Sequence, residues 1–387
     1  MRLIHTSDWH LGRRLHGQDL LEAQAEFLGW LLELARAEQA DAVLVSGDVY
    51  DRAQPGADAV ELMDRTLGAF AQAGVPLIVS SGNHDSAVRL QYGGSVFARA
   101  GIHLRTEVGQ VDDPILLADA AGHVAIYGIP FVLPDAVLDE LGVERSHAAV
   151  LGALTDRIRR DLSQRGIQRS VVMAHAFVTG ASASESEREI RVGGVGDTPA
   201  RVFDGFSYVA LGHLHGPQDV LLHGSSTVIG YSGSPLAFSF SERQQVKSVT
   251  VVDIDPHGAV SSRRVSTPVP RPLRQVTGRL AELLTRSDGE LADIADAWLK
   301  VVLTDPGRVV SPMEQLRDLW PHTLVLEFAP DGPDRSVVDL VHATESMDPV
   351  EICAGFVTTV GGDPPTRTQI DVLRDAVLAA QRQEVST

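Results

Sequence analysis

Short apolar runs alternate with longer amphipathic stretches through the first hundred residues. Arg2 to Thr6 (RLIHT), Ala42 to Val45 (AVLV) and Pro76 to Val79 (PLIV) are too short for helices and read as buried strands. Between them, Leu20 to Arg36 and Gly56 to Gln72 carry apolar residues at helical spacing. This βαβαβ rhythm predicts an α/β sheet. From Gly101 to about Pro130 the pattern turns strand-rich, and Ala148 to Gly166 is helical. Strands recur at Ser170 to Met173, Tyr208 to Leu211 and Ser248 to Ile254. The RIRR segment at 157–160 falls mid-helix and reads as a solvated face.

The large α/β domain is placed at residues 1–268. The segment Thr267 to Pro272 (TPVPRP) is stiff and proline-rich, which suits an interdomain linker. A smaller α/β pattern occupies 273–330, with helices at Gly278 to Arg286 and Pro312 to Leu319 and strands at Trp298 to Thr304 and His322 to Phe328. A third segment, 337–387, follows the polar stretch Ala329 to Ser336. It finishes in an amphipathic helix, Thr368 to Gln383, whose Ile370, Leu373, Val377, Leu378 and Gln381 fall near one face. Packing on its own domain and docking on a partner helix both fit that stripe.

Composition narrows the chemistry. With 44% hydrophobic and 22% charged residues among 387, the chain can bury real cores. Its formal charge of −18 argues against general coating of nucleic acid, so any DNA contact needs local basic patches or a partner. The single cysteine, Cys353, excludes disulfide frameworks and thiolate-rich metal sites and points to a reducing compartment. No apolar stretch reaches the length of a membrane span, and MRLIHTSD lacks a signal-peptide core. The expectation is a cytoplasmic protein that does not engage membranes.

The positions of Asp, His and Asn carry the functional signal. Asp8 and His10 follow the first strand, Asp48 the second, and Asn83, His84 and Asp85 the third; His175, His213 and His215 follow later strands. Ligands of open α/β sheets bind beyond the carboxyl ends of strands, so these residues can converge in one crevice. Asp8, His10, Asp48, Asn83, His175, His213 and His215 offer mixed oxygen and imidazole donors, too many for one tetrahedral ion and suited to a pair sharing a carboxylate. Two such ions about 3.5–4 Å apart can activate a water between them and clamp an in-line phosphoryl displacement. The expected reaction is phosphoester hydrolysis. GGVGD at 193–197 lacks a following GK[ST], so no nucleotide-binding loop is assigned.

The ordered strings Asp8-Trp9-His10, Gly47 to Asp51, Gly82 to Asp85, His175 and Gly212 to His215 resemble the calcineurin-like metallophosphoesterases, a sandwich of two mixed sheets flanked by helices. Longer strings, His5 to Gly17, Ser46 to Pro55 and Tyr231 to Glu242, resemble the SbcD family of bacterial nuclease subunits. The resemblance implies that Asp8, His10 and His215 hold one metal, that Asn83, His175 and His213 hold the other, and that Asp48 bridges them. It implies manganese, with His84 facing the scissile phosphate and Asp85 orienting His84. Relatives from archaea and eukaryotes carry His where Asp51 stands, so no second catalytic histidine is assumed there.

The implied activity is that of a DNA repair nuclease: a 3′→5′ exonuclease on duplex ends and an endonuclease on single strands or hairpins, at the nucleoid. The implied assembly is a homodimer with two SbcC-type coiled-coil ATPases gripped by the tail, and the smaller domain would cap the site. Arg13, Arg14, Arg52, Arg89, Arg188 and Arg191 lie near the metal loops in sequence and are candidates for DNA phosphate contact. A stand-alone small-molecule phosphodiesterase or phosphatase is the alternative, disfavoured by the residues continuing past position 270. A DNA-end scaffold with a dead site is disfavoured because every ligand and His84 are present.

Overall fold

In the computed structural model, residues 1–187, 198–285, 294–330 and 348–384 are described. The chain divides into two compact units, Met1–Pro270 and Arg271–Thr387.

The first unit is built on two six-stranded mixed sheets. One runs in the order Val260–Ser266, Ser248–Ile254, Arg2–Thr6, Ala42–Ser46, Leu77–Ser80, Ile102–Arg105. The other runs Gln218–Val220, Val228–Tyr231, Tyr208–Gly212, Arg169–His175, Gly122–Ile129, Ile115–Asp119. The strands after which the expected site residues fall pair in parallel with neighbours in their own sheet.

Alternate residues of each central strand feed different cores, which is why the strands read as unbroken apolar runs. Leu3, Leu44 and Ile78 of the first sheet meet Ile126, Val171, Met173 and Ala210 of the second in the core between sheets. Their strand neighbours Ile4, Val43, Val45 and Val79 face outward onto helices Leu21–Ala37 and Ala57–Ala73, through Phe27, Leu31, Met63 and Phe70. Helix His147–Arg165 covers the second sheet in the same way, through Val150, Leu154 and Ile158 packed on Tyr127, Val172 and Val209. The result is the expected sandwich, layered helix, sheet, sheet, helix.

The RIRR segment departs from its solvated reading. Ile158 lies in the core, Arg157 pairs with Asp112 at 2.7 Å, and Arg159 donates to the carbonyl of Val202 at 2.7 Å while its guanidinium lies over Phe206. The helix lies against the turn at 200–206, so only Arg160 of the four is exposed.

In the second unit three parallel strands, Leu273–Gly278, Trp298–Leu303 and Thr323–Phe328, carry helices Leu280–Thr285 and Pro312–Leu319. Leu283, Leu299, Val301, Leu303, Leu316 and Trp320 form its core. Helix Pro349–Gly361 starts on a proline, with Asp348 accepting from the Val350 N–H at 3.0 Å, an N-terminal signal of the expected kind. It packs on helix Arg367–Glu384. Ile370, Leu373 and Val377 of the anticipated stripe are half-buried, whereas the side chains of Leu378 and Gln381 lie outside the described residues. Among the described residues no helix is long and apolar enough to cross a membrane.

Candidate metal centre

Both sheets deliver side chains to one place, the shared carboxyl end of their parallel strands. From the first sheet come Asp8 and His10 beyond Thr6, Asp48 beyond Ser46, and Asn83 and His84 beyond Ser80. From the second come His175, the last residue of its strand, and His213 and His215 beyond Gly212. Asp8, His10, Asp48, His84, His175, His213 and His215 are all buried.

The backbone is bent hard to aim them. Asp8, His10, Asp48 and His213 adopt positive φ of 53°, 44°, 50° and 104°, a region that side-chain-bearing residues avoid. Such strain persists only where surrounding bonds over-determine it. Here the Asp8 N–H donates to the Gly47 carbonyl at 3.0 Å and the His10 N–H to the Asp48 carbonyl at 2.9 Å, while the Asp8 carboxylate accepts from the His213 N–H.

The two sheets close to backbone contact beside the cluster. A Cβ on Gly212 would stand 1.8 Å from the Ser46 carbonyl oxygen across the junction, and within the first sheet one on Gly82 would stand 2.2 Å from the Asp48 carboxylate. Ser46 fastens this junction, its hydroxyl donating to the Ala210 carbonyl at 2.9 Å and its carbonyl meeting His175 Nδ1 at 3.0 Å. Gly212→Ala is therefore expected to lower the stability of the first unit by about 3 kcal/mol, an overpacking cost against rigid backbone. Its thermal unfolding midpoint checks this, and an unchanged midpoint would mean the sheets can part freely there.

The donor atoms themselves are within reach of one another. His10 Nε2 and His215 Nε2 are 3.1 Å apart, and His175 Nε2 lies 2.9 Å from Asn83 Oδ1. Asp48 Oδ2 is 3.5 Å from His10 Nε2 and 3.5 Å from His175 Nε2, so one carboxylate oxygen sits between the two sets of donors. The rings of His175 and His213 are 5.4 Å apart. Among the described residues three triads have ligand atoms mutually within 4.8 Å: Asp8, His10 and His215; His10, Asp48 and His84; Asp8, Asp48 and His175.

The electrostatics suit cation binding. Burial holds His10 well below the ordinary imidazole value and His213 down at about 3, leaving both with a neutral ring and a lone pair. Burial works against ionisation of Asp48, but the adjoining His175, through its charge and its hydrogen bond, outweighs it and holds the carboxyl well below the usual range. Burial pushes Asp8 up to about 6. Among the described residues His10 Nδ1 is buried with no hydrogen-bond partner. Two close buried carboxylates beside the lone pairs of His10 and His213 are a costly arrangement for a folding core and a fitting one for divalent ions.

Two expectations are revised. The Asp85 carboxylate accepts from the backbone N–H groups of Val49, Tyr50 and Gly82 at 3.1, 2.9 and 2.9 Å, so it staples the loop after Ala42–Ser46 to the loop after Leu77–Ser80. Orientation of His84 instead comes from the Asp51 carbonyl, 2.7 Å from its Nδ1. Arg13 is withdrawn from solvent, donating to the Ser186 carbonyl at 2.8 Å with its guanidinium over Phe238, because its loop folds back on 182–187. Arg14, Arg52 and Arg89 are exposed, and Arg188 and Arg191 lie outside the described residues.

Sequence reasoning passed over Ser186, Glu187, Glu242 and Lys247, which surround His215. Glu242 lies inside the quoted string Tyr231 to Glu242, where it is the only charge among small and apolar residues.

Comparison with known proteins follows the same division of the chain. Residues 1–217 match the family model described as calcineurin-like phosphoesterase, and residues 269–357 match the model of a type 5 capsule protein repressor C-terminal domain. The chain is 30% identical over 375 residues to the SbcD subunit of the SbcCD nuclease from Staphylococcus saprophyticus, covering 95% of this chain and 96% of that one. Solved structures with a related outline include a dimetal phosphatase from Danio rerio, at a TM-score of 0.44 and 11% identity over 69% of this chain and 98% of that one. Another is the protein TT1561 of Thermus thermophilus, at a TM-score of 0.40 and 11% identity over 68% and 98%.

Proposed function

The chain belongs to the calcineurin-like phosphoesterases and, among them, to the SbcD nuclease subunits, and on that premise we propose that it is a manganese-dependent DNA nuclease working from one binuclear centre. It is a phosphodiester hydrolase. The reading takes Asp8, His10 and His215 as holders of one ion, Asn83, His175 and His213 as holders of the other, and Asp48 as the bridge. The observation that carries it is Asp48 Oδ2, equidistant at 3.5 Å from a nitrogen of each set. Manganese suits this mixture of carboxylate, amide and imidazole donors.

When bound, two such ions supply an activated water and neutralise charge on the phosphodiester. The protein's own work is positional. Because a carbonyl only accepts, the Asp51 oxygen fixes the His84 proton on Nδ1 and turns Nε2 toward the cluster, 3.9 Å from Asp48 Oδ2. From there Nε2 can donate to a non-bridging phosphate oxygen or pass a proton to the leaving oxygen only as the imidazolium, with a proton on each ring nitrogen. Exposed Arg14, Arg52 and Arg89 are the described candidates for phosphate contact, and in a chain of charge −18 they need help from a partner.

The activities proposed are 3′→5′ exonucleolysis of duplex ends and endonucleolysis of single strands or hairpins, in DNA repair and recombination. The proposed complex joins two copies of this chain to two SbcC-type coiled-coil ATPases. Val88, Tyr92 and Val96, exposed within nine residues of one another just past His84, offer an apolar contact for a second copy. Phe356, Val360 and Val372 are exposed on the last two helices, which fits a partner helix. Phe356→Asp with Val360→Asp is expected to weaken co-purification with the ATPase at least tenfold while leaving cation-dependent hydrolysis unchanged. Undiminished co-purification would move the docking surface elsewhere.

Hydrolysis of a chromogenic phosphodiester beside a DNA hairpin, with and without the ATPase, tests the substrate. Cleavage of both supports the nuclease reading. Turnover of the small diester with DNA intact even when the ATPase is present would favour a phosphodiesterase acting on small molecules.

A further inference from the structure

Behind His215 lies a buried chain of polar groups that metal binding does not directly use. His215 Nδ1 is 2.5 Å from the Ser186 hydroxyl, which also contacts Glu242 Oε1. Glu242 is wholly buried, and its other oxygen meets the ammonium of Lys247, itself 3% exposed. The ammonium also lies within hydrogen-bond distance of the His215 carbonyl at 2.8 Å, the Ser234 hydroxyl at 3.0 Å and Gln245 Oε1 at 2.9 Å, its three protons shared among these and Glu242. From the other side, Glu187 Oε1 accepts from the His215 N–H at 2.7 Å, and its second oxygen accepts from Ser184. His215 is thus gripped at its ring, its N–H and its carbonyl.

The hydrogen-bond directions follow from the groups. A carboxylate paired with an ammonium only accepts, so the Ser186 hydroxyl must donate its proton to Glu242. Its oxygen is then left to accept, and the donor it meets is His215 Nδ1–H. With the proton on Nδ1, the lone pair of His215 sits on Nε2, the nitrogen that faces His10 Nε2 at 3.1 Å. A buried Lys–Glu pair is seldom a large source of stability, because desolvation offsets its attraction. Holding one tautomer of a metal-binding histidine is work suited to it.

We propose that Glu242, held by Lys247, acts through Ser186 as a positioning relay that fixes the tautomer and ring orientation of His215. The inference rests on His215 being a metal ligand. It also gives loop 182–187 a role, since Ser186 and Glu187 bring that loop onto the ligand and the loop leaves His215 correctly set only when latched.

The test is manganese titration of the full chain by calorimetry, comparing wild type with Ser186→Ala, Ser186→Thr, Glu242→Gln and His215→Ala. Ser186→Ala and Glu242→Gln are expected to weaken one of the two bound ions about 10- to 100-fold and leave the other unchanged. Ser186→Thr, which keeps the hydroxyl, restores the affinity, and this separates a relay from mere packing. Long-range ¹⁵N shifts of His215 in the metal-free chain should report an Nδ1–H ring in wild type and a mixture of tautomers in Ser186→Ala. If His215→Ala loses one ion but Ser186→Ala binds both as wild type does, the relay is overturned and the metal site stands. If His215→Ala keeps both ions at full affinity, the ligand assignment falls and the relay with it. Should Glu242→Gln fail to fold, the two Ser186 variants still decide the matter.

Discussion

Asp48→Ala is expected to release both cations together and to abolish hydrolysis. Each other proposed ligand touches one ion, so its loss should leave a singly loaded site. Asp48 offers an oxygen 3.5 Å from nitrogens on both sides, and its second oxygen is occupied by the His84 N–H at 2.8 Å. Removing it strips the shared anion and frees the loop that carries His84. The signature is the loss of metal-dependent stabilisation. Wild type should gain about 2.7 kcal/mol for each site at a hundredfold excess over its Kd, because only the folded state binds. The variant should gain nothing, and elemental analysis should find no retained manganese. Two ions per chain in Asp48→Ala would place the bridge elsewhere.

His84→Ala should behave in the opposite way, keeping both ions while turnover falls by about 10²- to 10⁴-fold, the range for loss of a positioned proton donor or charge-stabilising contact. The rival is that His84 is itself a ligand, since it forms a triad of suitable size with His10 and Asp48. Its Nε2 stands farther from Asp48 Oδ2, at 3.9 Å, than the 3.5 Å of His10 and His175. Its ring lies 4.6 Å from that of His10, close enough to share a substrate oxygen beside the ions. Manganese content measured beside kcat separates the roles. Parallel loss of metal and activity would make His84 a ligand, while retained metal with slow turnover supports a part in the chemistry.

The central strands were legible because both faces of each are buried, so that Val43, Leu44 and Val45 all had to be apolar. Strand Leu273–Gly278 went unread for the converse reason. Its sequence LRQVTG is largely half-buried or exposed, and its pairing with Trp298–Leu303 is carried by backbone bonds. The candidate ligands were legible because each follows a strand end, where strand order alone brings distant residues together. What could not be read was the spacing between sheets. Nothing in the letters Ser46 and Gly212 says that the two backbones touch, though the glycine is the only residue that allows it.

The same limit explains the misreading of Asp85. Adjacent to His84 in sequence, it looked like that residue's orienting carboxylate, but its bonds run to the Gly82 N–H and to backbone groups 35 and 36 positions away. Glu242 and Lys247, five apart, went unremarked because only the fold shows both buried against His215. Charge at such positions is informative only once its surroundings are known.

Digestion of an end-labelled linear duplex by the purified chain in manganese, in magnesium and in EDTA, beside His84→Ala, tests the central claim most directly. The account predicts shortening of the wild-type substrate in manganese, none in EDTA, and loss of shortening in the variant although its manganese is retained. Undiminished digestion in EDTA, or by His84→Ala, would contradict it.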